Sequence, residues 1–166
     1  GAGIPAGAFG MSEELTKRVS DSLHLEHIDV GGVGGTLAGN ALSMAAVAAT
    51  LTQVLTPEAF ERMEALCDVW TADVQAIIDE YNVPWQVSQL GCRSEYSFRE
   101  TAPRTGREAA DADDFELQQF LHLHALNRGI LMTPFHNMAL MSPAHTTEDV
   151  KRHTEHFREA VVALFA

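Results

Sequence analysis

Apolar residues recur every three or four positions over two long stretches of this 166-residue chain. The first stretch runs from residue 60 to residue 81, and Thr56 followed by Pro57 marks where its helix begins. The second follows Thr146, which stands three residues before Asp149 as in a capping box. The pattern predicts two amphipathic helices, each with one face in a core.

Alternating patterns and turn residues define the shorter elements. Strands are predicted at four places: residues 83–87, 94–98, 130–133 and 138–141. A capping box at Asp113 predicts a helix that runs to Asn127 and is stopped by Gly129. The charged stretch 100–112 is predicted to be an exposed loop.

The N-terminal third has a different composition, rich in glycine and alanine. Three short pieces are predicted there: a strand and turn at 1–10, a polar helix at 12–20 and a loop at 22–30. Asn40 is placed to cap a helix at 41–55, which is apolar nearly all round and is therefore expected to be buried. The composition changes near Thr56, which predicts a domain boundary between residues 1–55 and 56–166.

Charge and composition exclude several classes of function. There are 11 Lys and Arg against 23 Asp and Glu, a formal net charge of −12. Such a surface repels nucleic acid and anionic lipid, and no apolar run is long enough for a transmembrane helix. Cys67 and Cys92 form no motif, which predicts reduced thiols in a cytoplasmic protein. The eight histidines lack the spacing and partners of a metal site.

Three segments, taken in order, carry a family pattern. GGTLAGNALSMAA at residues 34–46 resembles the GTLSGNPLAMAAG signature of class III pyridoxal-phosphate-dependent aminotransferases and the related glutamate-1-semialdehyde aminomutases. GAGIPAGAFG at residues 1–10 is similar to the GGGxPxGAFGG run that follows the Schiff-base lysine in that family. Residues 128–153 resemble the family's closing pattern, and LGCRSEYSF at 90–98 stands where relatives have a glycine-led strand.

The resemblance implies an α/β fold, that of the fold type I pyridoxal-phosphate-dependent transferases. Residues 1–55 would be the end of the large, cofactor-binding domain with its interdomain helix, and residues 56–166 the C-terminal small α+β domain. It also implies pyridoxal 5'-phosphate, an amino acid or amine with an oxo acid as substrates, and a homodimer with shared active sites. Neither Lys17 nor Lys151 matches the Schiff-base lysine, which is expected upstream of Gly1.

The resemblance assigns the cofactor phosphate to Gly35 and Thr36. Backbone amides that no side chain obstructs, together with one hydroxyl, suit a phosphate. In the family, the threonine that matches Thr36 reaches the phosphate of the neighbouring subunit. The alternative is that the glycine-rich stretch is only a flexible connection.

The resemblance places His136 and Asn137 beside the substrate, although both could simply hold a tight turn. Several aminomutases carry a glutamate where this chain has the neutral Asn137. Arg93 could bind a substrate carboxylate, but a surface pair with Glu95 or Glu100 is favoured.

The predicted activity is amino-group transfer by the complete enzyme. Two alternatives stay open at this point. One is an aminomutase or racemase of the same fold, and the other is a non-catalytic fragment that depends on a partner.

Overall fold

The computed structural model describes residues 3–22, 34–133 and 136–165. Its contacts divide the chain into an N-terminal unit, Gly1–Thr56, and a C-terminal unit, Pro57–Ala166. Within the described residues, no helix is both long and apolar enough to cross a bilayer.

The N-terminal unit contains helices but no strand among its described residues. Its helices are α1, Glu13–Ser22, and α2, Ala41–Ala49, which continues as a π-helix over Thr50–Val54. The predicted cap is confirmed, because the Asn40 side chain accepts a hydrogen bond from the Ser43 backbone N–H at 3.0 Å. The predicted strand within residues 1–10 is wrong for the part described, and the predicted loop at 22–30 lies almost wholly outside the described residues.

The expectation that this apolar helix is buried is also wrong within the described unit. Ser43 is its one buried residue, and its hydroxyl donates to the Pro5 carbonyl at 2.9 Å. Leu42 and Met44 are 67% and 44% exposed. The described part of the unit contains too few other residues to cover the apolar side chains of α2.

The C-terminal unit packs helices against a three-stranded antiparallel sheet of order β1-β2-β3. Its elements in chain order are α3 Pro57–Glu80, β1 Gln86–Leu90, β2 Arg93–Ser97, α4 Gly106–Asp111, α5 Phe115–Leu126, β3 Met138–Leu140 and α6 Thr147–Ala163. In the register, Val87 pairs with Tyr96 and Ala139 pairs with Ser94. Side chains alternate across a strand, so Ser94 and Tyr96 point to the buried face while Arg93 and Glu95 point away from it.

Aromatic side chains from α3, β2 and α6 form the centre of this unit. Trp70 of α3 donates its indole N–H to Nδ1 of His153 on α6 at 2.9 Å. The Trp70 ring stacks on Tyr96 of β2 at a centroid distance of 6.3 Å. Phe157 lies 5.0 Å from Tyr96, and Trp85 closes the cluster at 6.2 Å from Tyr96. Because these contacts join distant parts of the chain, they hold the sheet and the two long helices together.

Both long helices begin where the sequence predicts. The α3 helix starts at Pro57, and its predicted stripe supplies Met63, Trp70, Val74 and Ile77 to the core. At α6 the Thr146 and Asp149 side chains form the predicted reciprocal capping box.

Three shorter predictions need correction. The predicted loop 100–112 contains α4, because the Thr105 side chain caps it by accepting from Glu108 N–H. The cap of α5 is Asp114 and not Asp113. Residues 130–133 form no strand, since the last described strand, β3, pairs with β2 through Met138–Leu140 only.

The buried His153 makes stability depend on pH. Burial, with a smaller effect from nearby His156, lowers the His153 pKa from 6.5 to about 4. Between these two values the unfolded chain binds a proton that the folded chain does not, so stability falls as pH falls. We predict a loss of about 3 kcal/mol in the free energy of unfolding from pH 7 to pH 4, measured by urea unfolding.

Two variants separate this effect from general destabilisation. His153→Gln keeps an acceptor for Trp70 but has no proton to gain, so its stability should change much less over the same interval. Ile78→Val, at a buried core position of α3, should lower stability by roughly 1 kcal/mol at every pH and leave the pH dependence unchanged. An equal slope in the wild type and in His153→Gln would contradict the assignment to His153.

Candidate functional site

A tight turn at Gly34–Asn40 precedes helix α2. Gly34 has φ +102°, and a Cβ atom added there would lie 2.6 Å from the Ala38 Cβ, so the turn requires glycine at this position. The Ala38 N–H donates to the Gly35 carbonyl at 2.9 Å, which closes the turn. Residues 35–38 therefore form a tight turn just before helix α2.

Thr36 lies exposed at the tip of this turn, with Gly35 beside it. No group in the described part of the N-terminal unit hydrogen-bonds to the Thr36 hydroxyl. A Cβ added at Gly35 would meet nothing within 4 Å, so the backbone there is open to a ligand. An unobstructed stretch of backbone, an exposed hydroxyl and the positive end of a helix dipole suit a phosphate group. The two predicted cofactor residues are thus adjacent and accessible.

His136 and Asn137 lie in the C-terminal unit, just before strand β3. The His136 N–H donates to the Thr133 carbonyl, and the Asn137 carbonyl accepts from the Tyr96 N–H, each at 3.2 Å. His136 is exposed, whereas Asn137 is 7% exposed. The main chain therefore attaches the turn to strand β2, in line with the alternative that these residues hold a tight turn. Both side chains also line cavities.

Two cavities meet at these residues. One has a volume of about 210 Å³ and lies between α5 and α6. The other, about 310 Å³, lies between the sheet and α4. His136, Asn137 and Tyr96 line both cavities. The predicted substrate residues thus border partly open cavities that are large enough for a small molecule.

Arg93 does not line either of these cavities. Its guanidinium Nη2 donates to Glu95 Oε2 at 2.8 Å on the outer face of the sheet, and its side chain is 52% exposed. This is the surface pair that the sequence favoured. A role in binding a substrate carboxylate stays a prediction, and it would require Arg93 to leave Glu95.

Sequence reasoning missed that histidines gather around the cavity between α5 and α6, which we call the histidine cavity. Its five histidines are His122, His124, His136, His153 and His156. They come from α5, from the turn before β3 and from α6, so no spacing in the sequence reveals that they are neighbours. Among the described residues, no group of three or more His, Cys, Asp or Glu side chains is arranged to hold a metal ion.

Glu159 of α6 is the centre of a charged cluster beside this cavity. The Glu159 carboxylate accepts from Arg128 Nε at 2.9 Å and lies 3.1 Å from His156 Nδ1. These contacts with His156 and Arg128 lower the Glu159 pKa. Burial lowers the pKa of His124, and the positive charge of Arg128 lowers it further. His124 is therefore neutral at neutral pH.

Gly129 opens the segment that leads from α5 to His136. Its φ is +78°, and a Cβ added there would lie 2.8 Å from Arg152 Nη2. That guanidinium donates to the Arg128 carbonyl at 2.7 Å and so covers the end of α5. Glycine is required here both by the backbone conformation and by the close approach of Arg152.

No protein-family model matches the chain, but curated proteins do. It is 30% identical over 164 residues to glutamate-1-semialdehyde 2,1-aminomutase 2 of Staphylococcus haemolyticus, a match that covers 97% of this chain and 36% of that protein. It is 32% identical over 160 residues to glutamate-1-semialdehyde 2,1-aminomutase 1 of Staphylococcus carnosus, covering 95% and 35%. The chain thus spans about a third of the length of these relatives.

Solved structures give the same result. A glutamate-1-semialdehyde aminomutase from Pseudomonas aeruginosa superposes with TM-score 0.87 at 42% identity, covering 93% of this chain and 35% of that one. A second structure from that organism, in complex with PMP, has TM-score 0.80 at 40% identity, covering 98% and 33%. A β-phenylalanine aminotransferase from Variovorax paradoxus has TM-score 0.68 at 29% identity, covering 80% and 30%.

These matches assign the fold to the pyridoxal-phosphate-dependent enzymes of fold type I. More narrowly, the chain is homologous to a C-terminal part of the class III enzymes related to glutamate-1-semialdehyde aminomutase. The family, the fold and the cofactor class predicted from the motifs are thereby confirmed.

Replacing Gly129 tests how the backbone leaves the end of α5. We predict that Gly129→Ala lowers the free energy of unfolding by about 1–2 kcal/mol, because alanine resists positive φ and its Cβ displaces Arg152. Gly106→Ala is the matched control, since a Cβ at this first residue of α4 meets nothing within 4 Å. We expect the control to be neutral or slightly stabilising in urea unfolding. Equal effects of the two substitutions would contradict this role of Gly129.

Proposed function

We propose that the protein containing this chain is a pyridoxal-phosphate-dependent enzyme that transfers an amino group between an amino acid or amine and an oxo acid. The observation that carries the proposal is the exposed Gly34–Asn40 turn, with Thr36 exposed just before α2, in a chain homologous to class III enzymes. The N-terminal unit would be the end of the large domain, and the C-terminal unit the small domain.

In this proposal the Thr36 hydroxyl donates a hydrogen bond to the cofactor phosphate, and Gly35 lets the phosphate approach the backbone. The phosphate belongs to the neighbouring subunit of a homodimer, so the active sites are shared. The bound cofactor supplies the electron sink that allows an amino group and the neighbouring proton to move. The Schiff-base lysine would lie in the region of the relatives that this chain does not span.

The substrate would be oriented by the C-terminal unit. The His136 imidazole and the Asn137 amide offer hydrogen bonds from a turn that the Tyr96 N–H holds in place. Asn137 is 7% exposed and lines both cavities, so its amide would face a group bound there. The cytoplasm is the proposed location, in keeping with two free thiols.

Intramolecular transfer, as in an aminomutase, is the second candidate. The two Pseudomonas aeruginosa aminomutase structures are 40% and 42% identical to this chain, whereas the Variovorax paradoxus aminotransferase is 29% identical. The difference favours aminomutase chemistry. The neutral Asn137 weighs the other way, because several aminomutases carry a glutamate at this position.

Removing the Thr36 hydroxyl tests the phosphate site in the intact protein. We predict that Thr36→Val raises the dissociation constant for pyridoxal 5'-phosphate about tenfold, through loss of one hydrogen bond to a charged group. Thr36→Ser should bind nearly as the wild type does. Thr52→Val is the control, because its hydroxyl donates to the Ala48 carbonyl within the helix and should not affect the cofactor. Unchanged affinity in Thr36→Val would rule out this contact, and an intact protein that retains no cofactor would favour the non-catalytic alternative.

Product analysis separates the two kinds of transfer. The intact, cofactor-loaded protein is incubated with amino donors and an isotopically labelled oxo acid. Transamination predicts labelled amino acid in proportion to donor consumed. An aminomutase predicts an isomer of the donor and no label in the amino acid pool, a result that would reject the aminotransferase assignment.

A further inference from the structure

Histidine is strongly over-represented among the residues that line the histidine cavity. Five of the eight histidines in the chain line it, among sixteen lining residues in the part of the chain that the structure describes. Two of the five have buried ring nitrogens, His122 Nδ1 and His124 Nε2, with no hydrogen-bond partner in the part of the chain that the structure describes. The second lies 3.8 Å from Glu159 Oε2, too far for a good hydrogen bond but within ion-pair distance. Buried polar atoms are normally hydrogen-bonded, so His122 Nδ1 is the clearer candidate for a hydrogen bond to a bound group.

The cavity carries no fixed charge. Among its lining residues in the described part of the chain, none is Asp, Glu, Lys or Arg, although the chain has a net charge of −12. His153 accepts the Trp70 indole N–H through Nδ1 and so is held neutral. The charges nearest to His124, those of Arg128 and Glu159, neutralise each other in an ion pair. Burying an ion here would lack a compensating charge and would be costly.

The remaining walls are aromatic and aliphatic. Tyr96, Leu121, Met132 and Phe157 are among them, and Ala160 adds a small side chain that leaves space. A volume of about 210 Å³ exceeds the roughly 150 Å³ of an engineered apolar cavity that binds benzene. The cavity is therefore large enough for one aromatic ring with a small substituent.

A neutral imidazole offers one hydrogen-bond donor and one acceptor, and a hydroxyl group offers the same pair. We propose that the histidine cavity binds an uncharged, ring-sized aromatic group that carries a hydroxyl group. His136 and Asn137 line the same cavity, so the bound group would be part of the amino substrate. That last identification rests on the proposed function, whereas binding of the ring itself does not.

Three probes of similar size test the chemistry: phenol, toluene and benzoate. Binding to the intact protein is measured at pH 7.5 without cofactor, by calorimetry and by the NMR signals of the histidine rings. We expect phenol to bind about fivefold more tightly than toluene, the effect of one hydrogen bond, and more tightly than benzoate, which would have to bury its charge. No binding of phenol, or tighter binding of toluene or benzoate, would overturn the proposal.

Two variants locate the hydrogen bond. His122→Leu and His124→Leu each remove one unpartnered nitrogen and keep an apolar wall. We expect at least one of them to abolish the preference for phenol while toluene still binds, which also shows that the cavity remains folded. His145→Asn, outside the cavity, is the control and should leave the preference intact. A preference that survives both leucine variants would overturn the assignment.

The outcomes are independent of the cofactor tests. If phenol binds as expected but Thr36→Val leaves cofactor affinity unchanged, the phosphate contact fails and the cavity assignment stands. If the cofactor tests succeed but phenol does not bind, the cavity assignment fails and the proposed function stands.

Discussion

The hydrogen bond from Trp70 to His153 joins α3 to α6 through two residues that are 83 positions apart in sequence. The aromatic core of the C-terminal unit packs around this pair. The hydrogen bond leaves both partners satisfied in an apolar environment where an unpaired nitrogen would cost free energy. The rings of Trp70 and His153 also contact Tyr96 and Phe157, so the same pair aligns α3, α6 and strand β2. Whatever disturbs His153, protonation included, therefore disturbs the packing of the sheet against the helices.

The candidate site depends on this core through the backbone. Tyr96 is fixed by its ring in the aromatic cluster, and its N–H donates to the Asn137 carbonyl. Strand β3 then pairs from Met138 onward, and at the other end of the connecting segment Gly129 allows the backbone to leave α5 beneath Arg152. His136 and Asn137 are thus joined to the core through strand β2, and a backbone fixed in this way is what an accurately placed side chain requires.

The features that the sequence predicts correctly are those that depend on short-range interactions. Thr56–Pro57 and the Thr146 capping box start helices within one turn of chain, and both were read correctly because no distant partner is involved. Residues 130–133 are as apolar as a strand but have no strand to pair with, and α2 is apolar all round yet exposed within its described unit. Burial and pairing depend on neighbours far away in sequence. For the same reason, the motifs predict a phosphate role for Thr36, but no motif predicts that five histidines from three parts of the chain line one cavity.

The identity of residue 137 bears on which reaction the protein performs. Sequence identity is higher to the aminomutase structures than to the aminotransferase structure. Asn137 is neutral, and Arg93 is paired with Glu95 on the outer face of the sheet. The residues that decide between the two reactions are therefore the few that would contact the substrate, and they are not the residues that define the fold. Relatives can keep the fold and the cofactor while the substrate changes, because fold and phosphate site depend on backbone and core residues, and substrate choice depends on a few side chains at the cavity wall.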